Sequence, residues 1–370
     1  MEKTDITIIG AGVVGLSIAA CLAKKGKEVV VLEKHPAFGQ ETSSRNSEII
    51  HAGLYYKKDS LRTRLCVEGK KKLYEFCSKH GIGHRKLGKI IVATDNKQVR
   101  ELEALFSRGR NNGVDDLKML TQNQVIKLEP NVKAVSAIHS PSTGIIDTHN
   151  FMKSLEYQAK SNNAVFAYGC EVVGIEKAQG GYCIDTREGS AEGLRFFSRI
   201  LINSAGLNSG RIAMMAGLDI NKEGYNIYYN KAEYFRVNSK KANLTNMLIY
   251  PTPGSASLGI HTVNDLQGQL RLGPSSFYTK EINYDVDPLH KLEFYQACKR
   301  FLPFLESDDL SPDIAGIRPK LQAPGEGEKD FVIVDETKKG FPGLINLIGI
   351  ESPGLTASLA IADYVAAFIN

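Results

Sequence analysis

The glycine-rich stretch Gly10-Ala11-Gly12-Val13-Val14-Gly15 constrains this chain more than any other. An apolar run from Asp5 to Gly10 reads as a buried strand. Leu16 to Lys25 reads as a helix with Ala19, Leu22 and Ala23 on its inner face. Glu28 to Leu32 gives a second strand that ends at Glu33. The first glycine allows a tight turn, the second lets backbone approach a pyrophosphate, and the third lets the helix pack close to the strand. A pyrophosphate would sit on the N–H groups of Gly12, Val13, Val14 and Gly15, where the helix dipole favours an anion. Glu33, with Lys34 after it, lies roughly twenty residues on and is placed to bond an adenosine ribose. Glycines alone are weak evidence, because loops and strand corners use them too. Strand, helix, second strand and acid in register define a dinucleotide site.

At 370 residues the chain can build two cores, or one domain with a large insertion. A formal charge of +5, spread along the sequence, forms no dense basic stripe, so a nucleic-acid partner is not expected. That charge is compatible with an anionic substrate or loose contact with anionic lipid. No apolar run reaches the length of a membrane span, and the first strand begins almost at once. The expectation is a cytoplasmic protein, with peripheral contact at the inner face of the membrane left open. Cys21, Cys66, Cys77, Cys170, Cys183 and Cys298 show no C-x-x-C pair and no metal spacing. They read as reduced core residues, and no metal is expected.

After Glu33 comes Thr42-Ser43-Ser44-Arg45-Asn46-Ser47-Glu48-Ile49-Ile50-His51-Ala52-Gly53. Its hydroxyls precede a stretch, Asn46 to Ile50, that they could cap as a short helix, offering donors to another phosphate oxygen. A nicotinamide enzyme has no need of this second loop, whereas an extended FAD runs past it. No second G-x-G-x-x-G is present, so electrons are expected from a bound small substrate and not from NAD(P)H. Later, Ile200 to Gly206 reads as a buried parallel strand ending in Ala205-Gly206, where lack of bulk lets FAD lie close.

These motifs, with two C-terminal ones, resemble the D-amino-acid-oxidase-like FAD superfamily, in particular its L-2-hydroxyglutarate dehydrogenase/oxidase branch, over nearly the whole chain. The resemblance implies an α/β fold: a Rossmann-like FAD-binding domain of the glutathione-reductase-2 type, with a second, mainly antiparallel-sheet α+β substrate domain. The boundaries expected are 1–83, 144–222 and 313–370 for the first, and 84–143 and 223–312 for the second. It further implies that Val172 meets the adenine through its backbone. In Gly316-Ile317-Arg318-Pro319 the arginine would grip a substrate carboxylate, and a guanidinium fork suits that job. Gly354, Leu355 and Thr356 would aim helix N–H groups at the flavin ring, where reduction builds negative charge. No cysteine stands at the C-terminal flavin loop, so FAD is expected to be non-covalent.

Oxidising a carbinol also removes a hydroxyl proton, which calls for a base near neutral pKa. His51 and His261 are the candidates, and the sequence does not choose between them. A five-carbon dicarboxylate would need a second grip, for which Lys320, Arg62, Arg45 and Tyr250 are possible. Glu351 could line the same pocket. The resemblance weakens after Gly-Ile-His261, where an aromatic residue is expected and Thr262 stands. The reading is FAD-dependent oxidation of a small anionic 2-hydroxy acid, with L-2-hydroxyglutarate leading. The acceptor is open among oxygen, a quinone and a carrier protein. Rivals are a glycine-, sarcosine- or D-amino-acid oxidase, a glycerol-3-phosphate dehydrogenase, and a flavin-binding subunit without turnover.

Overall fold

The computed structural model describes residues 2–189, 191–254 and 259–369. They fold as two compact units, residues 1–44, 148–229 and 318–370 in the first and 45–147 and 230–317 in the second.

The first unit is built on an eight-stranded sheet. Strand Lys3–Ile9 lies at its centre, parallel to Val29–Glu33 on one side and to the end of Ala191–Asn203 on the other. These strands read as continuous apolar runs because both faces are covered. Helix Val13–Lys24 packs against helices Thr148–Ser161 and Gly354–Ala366. The helix starts at Val13, earlier than expected, because Gly12 is already extended (φ −73°, ψ 174°) and serves as its cap. The strand expected from Ile200 to Gly206 is the second part of a longer one, Ala191–Asn203. It is antiparallel to Gly181–Glu188 in its first part and parallel to Lys3–Ile9 from Phe197. A change of partner leaves no mark in the alternation of side chains, so the sequence could not show it.

The second unit holds a five-stranded sheet around Tyr228–Val237, a four-stranded sheet and a small three-stranded one. In the four-stranded sheet Lys89–Ala93 is central, with Leu248–Pro251 parallel on one side and Ser136–Ser140 antiparallel on the other. Leu248–Pro251 thus belongs to this sheet and not to the five-stranded one. Glu129 fixes its entry by accepting the N–H groups of Asn246 and Met247. Residues 45–83, expected in the cofactor domain, belong to the second unit. Ile49, Ala52 and Leu54 share a core with Ile91, Leu105, Leu248 and Tyr250, and Ile49 pairs with Ile145. Helix Leu61–His80 is capped by the Ser60 hydroxyl and closed by left-handed Gly81, as its sequence signals.

Among the described residues no helix is long and apolar enough to cross a membrane. No disulfide joins the cysteines, and Cys66, Cys77, Cys170, Cys183 and Cys298 are buried.

Candidate active site

In the first unit the glycine turn is shaped to receive something. Gly10 sits at φ +101°, where a side chain is strained, and a Cβ there would lie 2.8 Å from the Ser204 carbonyl oxygen. A Cβ on Gly12 would come within 3.1 Å of Ser43 Oγ, and one on Gly15 would drive into the Gly10 carbonyl. Ser204 Oγ donates to the Ile9 carbonyl at 2.9 Å, tying the turn to the end of the neighbouring strand. The helix beginning at Val13 carries no acid in its first turn, so its N-terminal dipole is left for a ligand anion.

Glu33 is buried and fully engaged. Its Oε2 accepts Ala11 N–H at 2.8 Å and its Oε1 accepts His35 N–H at 2.9 Å. It holds the turn in shape, and each oxygen keeps a second lone pair for a ribose hydroxyl. Lys34 is paired with Glu41 at 2.6 Å. The hydroxyl loop forms no helix: residues 34–46 are turns and bends, followed after two residues by strand Ile49–Ile50. Gly39 N–H bonds the Ala11 carbonyl, which lays the loop on the glycine turn, and Ser43 Oγ caps the other helix by accepting Val13 N–H at 3.0 Å. Ser44 Oγ donates to the Glu41 carbonyl, and Thr42 lies in the same turn.

Ala205 and Gly206 follow the Ala191–Asn203 strand, and Gly206 (φ +52°) has open space where a Cβ would be. Val172 is buried beside a bulge in its strand. Gly354 opens the last helix, which has no acid in its first turn; Leu355 and Thr356 continue it. The glycine cradle, the two acid-free helix starts and the open Gly206 fit an extended dinucleotide.

Arg318 lies within strand Leu310–Lys320. The expected cationic grip of Lys320 is offset: its Nζ pairs with Glu351 Oε1 at 3.0 Å, and both side chains are largely buried. These two residues neutralise each other.

The second unit holds the titratable groups. Arg45 stacks over the Tyr284 ring at 4.1 Å, Asn46 Oδ1 accepts Glu48 N–H, and Ser47 Oγ meets Tyr234 Oη at 2.7 Å. His261 is buried, with its ring on that of Tyr250, centroids 3.6 Å apart at 13°. Its Nδ1 lies 3.0 Å from the Thr262 carbonyl, which accepts the Nδ1–H. Burial, followed by the charge of Lys89, brings His51 down to about 3, so its imidazole is neutral at physiological pH.

Lys89 escaped the sequence reading. A lysine opening the run Lys89-Ile90-Ile91-Val92-Ala93 looks like a solvated strand end, yet it is completely buried. Its Nζ lies 4.5 Å from the Tyr55 ring centroid and 4.6 Å from that of Tyr250. Burial lowers it to about 7, with neighbouring Cys66 acting the other way. A base held below its unfolded value disfavours folding most at pH below about 7, and the penalty fades as pH rises toward the unfolded value. Lys89→Met is therefore expected to raise the melting temperature more at pH 6 than at pH 10. A variant that melts lower at pH 6 would contradict this balance.

The chain matches the DAO family, FAD dependent oxidoreductase, over residues 5–368, and it belongs to that family. It is 38% identical over 403 residues to the mitochondrial L-2-hydroxyglutarate dehydrogenase of Arabidopsis thaliana, covering 99% of this chain and 83% of that protein. It is 26% identical to L-2-hydroxyglutarate dehydrogenase of Escherichia coli (strain K12), covering 99% and 93%. Among solved structures, FAD-bound L-alpha-glycerophosphate oxidase from Mycoplasma pneumoniae superposes with a TM-score of 0.89 at 27% identity, covering 100% of this chain and 95% of that one. Glycine oxidase from Geobacillus kaustophilus shares the fold, with a TM-score of 0.82 at 21% identity, covering 100% and 95%. The protein is an FAD-dependent oxidoreductase.

Proposed function

We propose that the protein oxidises a 2-hydroxy acid, L-2-hydroxyglutarate to 2-oxoglutarate. The observation that carries this reading is full-length similarity to L-2-hydroxyglutarate dehydrogenases of plant and bacterial origin. FAD, when bound, supplies the acceptor for the hydride that leaves the carbinol carbon. Gly10, Gly12, Gly15, Glu33 and Ser43 hold its nucleotide portion, and the Gly354 helix start favours the charge that reduction creates. Arg318 binds the carboxylate next to the reacting carbon as a bidentate fork. A histidine, His51 or His261, takes the hydroxyl proton; His51 in that role requires the bound substrate to raise it from about 3 toward neutrality. The amine rivals are not supported, because an amine can bind deprotonated and needs no such base. The reading includes a cytoplasmic site of action and reoxidation by oxygen, a quinone or a carrier protein.

The likeness to a glycerophosphate oxidase favours one second reading, a phosphorylated alcohol. Turnover with a dye acceptor over L- and D-2-hydroxyglutarate, L-lactate, sarcosine and glycerol 3-phosphate separates the two. The L-dicarboxylate is expected to give the highest kcat/KM. A preference for glycerol 3-phosphate would replace the substrate while keeping the cofactor and fold.

A further inference from the structure

Thr262 stands where two sheets of the second unit meet. Leu248–Pro251 is an edge strand of the four-stranded sheet, and His261–Asn264 is an edge strand of the five-stranded one. Along the first of these the backbone groups alternate in direction. Leu248 N–H bonds the Gly88 carbonyl and Thr252 N–H bonds the Val92 carbonyl, both on the side of strand Lys89–Ala93. Ile249 therefore turns its N–H and carbonyl the other way, to the open edge. Ile249 is completely buried, so these groups need a partner within the protein. Thr262 supplies it. Its Oγ1 accepts Ile249 N–H at 2.6 Å and donates to the Ile249 carbonyl at 3.4 Å. One hydroxyl thus serves both backbone groups of the edge, as an opposing strand would.

The residues joined in this way flank a second contact. Tyr250 follows Ile249 and His261 precedes Thr262, and their rings stack with centroids 3.6 Å apart. The Thr262 carbonyl accepts His261 Nδ1–H at 3.0 Å. Thr262 therefore holds both partners of the stack, Tyr250 through the strand edge and His261 through a ring nitrogen. Tyr250, His261 and Thr262 are all buried. Two further contacts fix the backbone here and not the ring. The Cys298 thiol donates to the Ile260 carbonyl, and a Cβ on Gly259 would lie 2.9 Å from Pro251 Cγ. The requirement at 262 is for a hydroxyl. Phenylalanine or valine there fills space but cannot accept Ile249 N–H, which gives the departure from the resemblance at this position a physical reason.

We propose that Thr262 is a positioning residue for His261: its hydroxyl joins the two sheets at Ile249, and its carbonyl sets the imidazole on the Tyr250 ring. The proposal rests on the hydroxy-acid reading only in the weight it gives His261, one of the two histidines that reading assigns to the hydroxyl proton. A ring fixed before the substrate arrives loses no freedom on meeting it, which raises the rate of the step it serves.

The test reads the His261 ring by NMR in the flavoprotein without substrate, for the unsubstituted chain, Thr262→Val and Thr262→Ser. The stacked Tyr250 ring is expected to shift the His261 ring protons upfield in the unsubstituted chain and in the serine variant. Thr262→Val keeps the shape of the side chain and removes the hydroxyl. In it those protons are expected to move back toward the positions of an unstacked histidine. An unchanged ring in the folded valine variant would overturn the proposal. If that variant yields no folded flavoprotein, the ring nitrogens of the unsubstituted chain decide, measured where the imidazole is neutral. An Nδ1–H tautomer supports the proposal, and an Nε2–H tautomer, which the Thr262 carbonyl cannot bond, overturns it. Turnover of L-2-hydroxyglutarate is the second readout. Thr262→Val is expected to lower kcat/KM by roughly tenfold to a hundredfold, and Thr262→Ser to recover most of the loss. A lower melting temperature with kcat/KM unchanged would make Thr262 purely structural and overturn the positioning role. The ring measurements need no substrate, so failure of L-2-hydroxyglutarate with the unsubstituted chain would be seen separately.

Discussion

Gly15→Ala is expected to give a protein that purifies without yellow colour. The added methyl would overlap the Gly10 carbonyl oxygen and lie 2.7 Å from Ser204 Oγ, closer than real Cβ contacts come. Both neighbours are fixed, Gly10 by its bond to the Leu32 carbonyl and Ser204 by its bonds to the Ile9 and Gly10 carbonyls. The helix start must therefore move off the strand, carrying its N–H groups out of line with the phosphates. Overpacking of this kind costs roughly 1–3 kcal/mol before any ligand contact is lost, so FAD affinity should fall by about tenfold to a hundredfold or more. Flavin absorbance per protein after gel filtration measures it. Gly26→Ala serves as the control: Gly26 also has a positive φ of +75° but nothing within 4 Å of its Cβ position, and its variant should remain yellow. Full flavin content in Gly15→Ala would mean that the turn does not carry the pyrophosphate.

Arg318→Ala should leave the flavin in place and lower kcat/KM by roughly a hundredfold to a thousandfold, the cost of leaving a carboxylate without its charged partner. Lys320 cannot take over, because its ammonium is held by Glu351 at 3.0 Å. Arg318→Lys should recover only part of the loss, since a single ammonium cannot reproduce a planar two-point fork. Flavin content and reduction by dithionite are the controls that separate substrate recognition from cofactor binding. A kcat/KM within a few fold of the unsubstituted protein would remove Arg318 from the site and direct attention to the cations of the second unit.

The cofactor half of this molecule was legible because its constraints are local. Gly10, Gly12 and Gly15 are read from spacing, and the helix after them follows from the same residues. Ser60 and Gly81 likewise mark the ends of their helix in the sequence itself. Strand pairing was less legible. Leu248–Pro251 is apolar throughout and buried from Leu248 to Tyr250, and nothing in it tells which sheet it joins. The boundary expected at residue 83 failed for a related reason: Ile49, Ala52 and Leu54 are apolar in either domain, and only their partners Ile91 and Tyr250 decide. Ser43 was read as a helix cap, and it is one, but for the helix at Val13 and not for a helix of its own. Lys89 was hidden most thoroughly, because a buried charge next to apolar residues has the same sequence as a solvated one.

The measurement that most directly tests the central claim is anaerobic mixing of the purified flavoprotein with L-2-hydroxyglutarate, following the oxidised flavin band and assaying 2-oxoglutarate. The account predicts complete bleaching with one 2-oxoglutarate formed per flavin, and no bleaching by the D-enantiomer on the same timescale. An oxidised band that persists with L-2-hydroxyglutarate but bleaches with glycerol 3-phosphate or sarcosine would contradict it.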